Sequence, residues 1–167
     1  DDDLRKYDKS KENRPNPIVT MGLFMDADGM PLAFDIFPGN QNEQTTLKPL
    51  ESKMIRDFEC SEFIFCSDAG LGSKANHRYN SFGNRAYVIT QSLKKMKEED
   101  KAVALDSRYF KRPGSNSFID ISTLDETDPE VYDTIYYKEM PVVNGTMDET
   151  VIVSYSPKYR AYQKRIR

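Results

Sequence analysis

Apolar positions along the chain fall into short runs whose period changes several times. Residues 17–25 read as a strand, Asp26-Ala27-Asp28-Gly29 supplies turn chemistry, and residues 30–37 read as a second strand closed by Pro38-Gly39-Asn40. Two such runs around a short turn predict an antiparallel hairpin. Asp26 and Asp28 read as turn residues, because the later ligand positions of a calcium loop are not filled. After Asn42 the period changes from two to 3.6. Glu43, Thr45 and Thr46 suit a helix start, and Leu47, Leu50, Met54, Ile55 and Phe58 share one helical stripe. Pro49 fits that helix only within about its first turn. Residues 63–67 form an apolar strand that runs into Asp68-Ala69-Gly70. Ser73 then caps a short helix through Tyr79, with Gly83-Asn84 ending it. Residues 86–90 read as another buried strand. Residues 93–105 read as a helix with Lys94, Lys95 and Lys97 on one face and Glu98, Glu99 and Asp100 behind.

From Asp106 the character shifts. Residues 112–117 are loop, and residues 134–140 and 150–155 read as strands with the turn signal Asn144-Gly145 between them. Residues 159–167 open a basic helix. The order predicts a mixed α/β layout around one central sheet. It divides into a core over residues 1–105, a β-rich insertion over 106–157 and a helix start over 158–167.

Length and composition narrow this picture. At 167 residues the chain fits one domain with a subdomain. Charged residues make up 31%, which favours a soluble protein, and no apolar run approaches the roughly 20 residues that span a bilayer. Asp1-Asp2-Asp3-Leu4 is neither a signal nor a transit peptide and lacks an initiator Met, so the chain reads as an excised segment. Cys60 and Cys66 form no zinc-type pair and read as buried free thiols, suited to a reducing cytoplasm. The net charge of -3 argues against a uniformly nucleic-acid-coated surface, but the charge is uneven. Asp120, Asp125, Glu126, Asp128, Glu130 and Asp133 make one stretch acidic, whereas Lys158, Arg160, Lys164, Arg165 and Arg167 make the end basic. Local basic patches, not the total, set phosphate binding.

Asp68 carries the most chemical information. It stands where a buried strand hands over to a loop, the position at which ligands collect in open α/β sheets. Read from the residues alone, two roles stay open. It holds a metal ion, or it bonds its own backbone in a turn with Gly70.

The succession of motifs resembles a known family. Lys9-Ser10-Lys11-Glu12-Asn13-Arg14-Pro15-Asn16-Pro17-Ile18-Val19 leads into Met21-Gly22-Leu23-Phe24-Met25-Asp26. Pro38-Gly39-Asn40 with Glu43-Gln44-Thr45-Thr46-Leu47, then Ser67-Asp68-Ala69-Gly70-Leu71, then Thr90-Gln91-Ser92 follow in order. In this it is similar to bacterial insertion-sequence transposases of the DDE type. The resemblance implies a ribonuclease-H-like mixed sheet with flanking helices, here without its first strand, plus the β-rich insertion. It also implies metal-dependent DNA cleavage and strand transfer at transposon ends, and a cytoplasmic, nucleoid-associated setting. Such enzymes hold two divalent ions, normally Mg²⁺, with three acidic residues. Asp68 matches the second of these and is a metal ligand rather than a general base in this reading. Asp1, Asp2 and Asp3 have no strand around them and are not assigned to the first position. Glu98 and Glu99 come too early for the third. With one matched ligand of three, the chain itself is expected to be inactive and to bind Mg²⁺ weakly. An unpaired sheet neighbour would favour self-association.

DNA contacts are expected from Lys74, Asn76, Arg78 and Arg85 after Asp68, from Lys94, Lys95 and Lys97 after the following strand, and from Lys158, Arg160, Lys164 and Arg165 in the basic tail. Double-stranded DNA, as transposon end and target, is the implied partner; a membrane is not. Tyr109, Phe110, Phe118, Tyr136, Tyr137 and Tyr155 offer rings for unpaired bases or for simple packing. His77 reads as a decoration of the short helix. Two other readings remain: a ribonuclease-H-like nuclease without strand transfer, and a non-enzymatic module that binds DNA or a partner chain.

Overall fold

The computed structural model describes residues 4–8, 16–60, 62–145 and 147–166. Asp1 to Asp3 and the motif residues Lys9 to Pro15 lie outside them. The chain is mixed α/β and divides into two units, Asp1–Gln91 and Ser92–Arg167.

In the first unit, β1 (Val19–Met25) and β2 (Pro31–Pro38) pair antiparallel, as the alternation predicts. The turn between them is held by Asp26, whose Oδ1 accepts from the N–H groups of Asp28 and Met30 at 3.0 and 2.8 Å. Gly29 supplies the left-handed step at φ 82°. Helix α1 (Glu43–Phe58) starts at Asn42, whose side chain accepts from the Gln44 N–H. Leu47, Leu50 and Met54 of the expected stripe are buried, but Phe58, the last residue of the helix, is exposed. Pro49 lies in the second turn rather than the first, and the helix runs through it. Both Pro49 and Thr45, whose carbonyl loses its helical donor, sit on the exposed side, where water can take over that bond.

Strand β3 (Phe63–Ser67), helix α2 (Lys74–Asn80) and β4 (Arg85–Ile89) form a crossover unit, with β3 and β4 parallel. The single central sheet expected from the sequence is not what forms. Among the described residues, β1–β2 and β3–β4 are separate two-stranded ladders. Phe24 of β1 and Phe65 of β3 meet edge to face with centroids 6.0 Å apart, so the join is made by side chains. Residues facing away from Phe24 and Phe65 are also apolar. Met21, Met25, Phe34, Ile64 and Val88 are each more than half exposed. Cys66 belongs to this outward face and is exposed, which corrects the expectation of a buried thiol. Cys60 is half-buried, and both thiols are free.

In the second unit the helix expected over 93–105 is split. A 3₁₀ turn covers Leu93–Lys95, Met96 and Lys97 are extended, and α3 covers Glu98–Leu105. The charges explain the break. Glu98, Glu99 and Asp100 suit the positive end of a helix dipole, whereas Lys94 and Lys95 do not. The acidic stretch contains a short helix, α4 (Pro129–Asp133), capped by Asp128. Strands β5 (Tyr136–Asn144) and β6 (Met147–Tyr155) form a long antiparallel hairpin, β5 starting and ending later than its expected run and β6 starting earlier. Helix α5 (Pro157–Arg165) begins two residues early, with Ser156 as cap and Pro157 in the first turn.

Lys138 of β5 is buried at 6% exposure. Its ammonium donates to the Val103 carbonyl at 2.7 Å and to the Asp106 carbonyl, closing the end of α3, and lies 4.6 Å from the centre of the Phe110 ring. A cation at a helix C-terminus is favourable. Burial nevertheless pushes the ammonium's pKa down. No helix among the described residues is long and apolar enough to cross a membrane.

Candidate functional site

Asp68 follows β3 directly and is exposed. It caps the 3₁₀ turn Ala69–Leu71, and the Gly70 N–H donates to its Oδ1 at 2.8 Å. Among the described residues Oδ2 accepts no hydrogen bond. One oxygen thus makes the turn while the other stays available, so the two readings of Asp68 are compatible in one geometry. Gly70 is needed for this approach. A β-carbon there would lie 3.0 Å from Asp68 Oδ1 and 3.7 Å from Glu43 Oε2.

That second distance identifies Glu43, the first residue of α1, as an acidic neighbour of Asp68. The sequence marked Glu43 as a helix start and as part of the motif Glu43-Gln44-Thr45-Thr46-Leu47, without a role in the site. Asn76, expected among the DNA contacts, is instead buried and structural. It is 1% exposed, and its Nδ2 donates to the Gln44 carbonyl at 3.1 Å and the Leu71 carbonyl at 2.9 Å. One side chain therefore clips the loop after Asp68 to the first turn of α1. Ser73, capping α2, accepts from the Asn76 N–H and fixes the start of that helix.

The donor chemistry at this place is hard carboxylate oxygen, the type that suits Mg²⁺. No group of three His, Cys, Asp or Glu side chains converges to hold a metal ion among the described residues. Asp68 and Glu43 are two carboxylates near Gly70, fewer than the three that such a group requires.

Compared with family models, with curated proteins and with solved structures, the chain matches none.

The expected DNA-contacting residues divide by surroundings. Lys74 and Arg78 are exposed one turn apart on α2. Arg85 lies over the ring of Tyr79 at 4.4 Å from its centre and donates through Nε to the Phe82 carbonyl at 3.1 Å, so packing already occupies it. Lys94 and Lys95 are exposed on the 3₁₀ turn of the second unit. Lys158 pairs with Asp133 at 2.8 Å, and Arg160 pairs with Glu126 at 2.7 Å and donates to the Tyr155 hydroxyl at 3.2 Å. Much of the basic tail is thus set against the acidic stretch of the same unit. Lys164 and Arg165 remain exposed beyond these pairs. The Tyr155 hydroxyl bonds Glu126 and, with Arg160 beside it, holds that carboxyl below the usual range. Of the candidate rings, Phe110 and Tyr136 are buried and serve packing. Tyr109 and Phe118 are exposed and meet edge to face at 5.9 Å. His77 packs its ring on Tyr87 at 4.9 Å.

Proposed function

We propose that this chain is part of a DDE-type transposase, acting on DNA phosphodiesters with Asp68 as one ligand of a divalent-metal site. The observation that carries the reading is the placement of Asp68. An exposed carboxylate follows a parallel strand directly and is steadied by Gly70 through one oxygen, with the Glu43 carboxylate on the same side of Gly70. The strand–helix–strand unit around it suits an incomplete ribonuclease-H-like core. The two separate ladders on either side of Phe24 and Phe65 suit a sheet that takes a further strand between them.

Divalent ions bound at such a site activate the attacking oxygen and neutralise charge on the leaving one. The chain's own contribution is geometric. Gly70 fixes the carboxylate, Asn76 seats the loop on α1, and Lys74 and Arg78 offer exposed cations for phosphate on the helix that follows. The first and third carboxylates of the triad belong, in this reading, to chain outside this sequence.

The test uses the protein encoded by this segment with its flanking coding sequence. Mg²⁺-dependent nicking of transposon-end DNA is expected and should fall at least about a hundredfold with Asp68→Asn, because metal chemistry contributes several kcal/mol to the transition state. The segment alone should show no nicking. Nicking that survives Asp68→Asn would overturn the assignment. Joining of a donor 3′ end to target DNA separates a transposase from a nuclease of the same fold. A metal-independent affinity that falls steeply with salt, with no cleavage, would instead favour a DNA-binding module.

A further inference from the structure

Glu51 on α1 and Asn80 at the end of α2 are both fully buried. Their side chains already touch, because Asn80 Nδ2 donates to Glu51 Oε1 at 2.9 Å. The same Nδ2 also reaches the Asn76 carbonyl at 3.3 Å. What remains is unusual. Glu51 Oε2 and Asn80 Oδ1 are buried and have no hydrogen-bond partner. Both are acceptors when the carboxyl is ionised, and buried polar groups of native proteins are nearly always paired. One proton on Oε2 removes both defects at once. The hydroxyl then donates to Asn80 Oδ1, and acid and amide close a ring with two hydrogen bonds.

The surrounding charges do not replace that proton. Lys48, on the same helix, and Arg85, on β4, act on Glu51 from a distance, while α2 contributes the neutral Asn80 amide. Among the described residues neither cation forms an ion pair with Glu51. Both are drawn instead to the ring of Tyr79, Lys48 at 5.5 Å and Arg85 at 4.4 Å from its centre.

We infer that Glu51 is held as the neutral acid and that its proton locks α1 to α2. The lock is a pH-sensitive device built into the first unit, and it does not rest on the reading of Asp68. Asn76, one turn earlier on α2, clips the Asp68 loop to α1, so the same helix pair carries the lock and the loop. Burial raises the Glu51 pKa, and the Asn80 bond, Arg85 and Lys48 oppose it more weakly. The sign follows from linkage. A carboxyl whose folded pKa lies above its unfolded value stabilises fully below the unfolded value and loses that contribution as pH rises through the folded one.

Thermal and urea unfolding of the wild-type chain and Glu51→Gln across pH 4 to 9 tests this. Gln keeps the two-bond ring without a titrating proton. The wild type should lose stability relative to Glu51→Gln as pH rises above the ordinary glutamate value of about 4.3. The ratio of their folding constants should change by up to about tenfold per pH unit until the folded pKa is passed. Parallel profiles, or a variant that is the less stable above pH 7, would overturn the proposal. A measurement on the wild type alone decides it if the variant does not fold. The ¹³C titration of the Glu51 carboxyl should have its midpoint above the ordinary value, and a midpoint at or below it overturns the lock.

Discussion

A β-carbon built on Gly39 would lie 2.0 Å from the Ile18 carbonyl oxygen and 2.7 Å from its carbonyl carbon. The Pro38-Gly39-Asn40 step therefore exists because two backbones pass in contact there. Gly39→Ala must push β1 away from the end of β2, and we expect it to cost about 3 kcal/mol, read as a drop in urea midpoint. Lys138 gives a contrasting case, in which a polar atom is needed inside. Lys138→Met preserves the length of the side chain but removes the donor to the Asp106 carbonyl and leaves the Val103 carbonyl with only the Asp106 N–H. It should cost about 1–3 kcal/mol in the same measurement. The sequence carried these residues unequally. Gly39 stood in a visible turn motif, as Asp68 stood at a visible strand end. Lys138 and Glu51 were charged letters within a strand and a helix, and one chain of letters does not say which charges are surrounded. The structural role of Asn76 was hidden for the same reason, since its two acceptors are 5 and 32 residues away along the chain.

Period and punctuation gave most elements, because hairpins, caps and amphipathic stripes are local. The misjudged details arose where a local rule met a competing one. Pro49 stays inside α1 since the exposed face tolerates a missing N–H. Pro49→Ala restores that donor, and it should stabilise the chain by about 1 kcal/mol or more, seen as a higher unfolding temperature. In the second unit, residues 93–105 had continuous helical character, but the alternation of basic and acidic blocks decided where the helix begins. Moving acid to the other side of the break, with Lys94→Glu and Lys95→Glu together, should raise helicity by circular dichroism. Unchanged helicity would mean that the extended Met96-Lys97 step is set by packing rather than charge.

Over the whole molecule, the acidic stretch and basic tail that looked like separate surfaces turn out to be paired, Glu126 with Arg160 and Asp133 with Lys158. Pairing is a property of the folded chain, so net charge per segment overstated what the tail can offer to DNA. The two units should also differ in their response to acid. In the second unit the Arg108 guanidinium holds Asp106 well below the carboxylate range. The Ser122 hydroxyl lowers Asp120, the Thr127 hydroxyl lowers Asp125, and the Tyr155 hydroxyl lowers Glu126. Groups with depressed folded pKa values stabilise above about pH 4 and lose that contribution as pH falls through the folded values. Segment-resolved hydrogen exchange, corrected for intrinsic rates, should therefore show protection falling below pH 4 in Ser92–Arg167. Protection in Asp1–Gln91 keeps the full contribution of protonated Glu51 in the same range and loses it only as pH rises above about 4.3. Equal losses in both units would contradict this division.

The outward face of the first unit has a practical consequence. Met21, Met25, Phe34, Ile64 and Val88 present apolar side chains to water across both ladders. Anions that are excluded from protein surface strengthen the drive to hide such groups, whereas screening by chloride acts only on charges. Ammonium sulfate should therefore salt this protein out at low concentration, while sodium chloride of equal ionic strength leaves it dispersed.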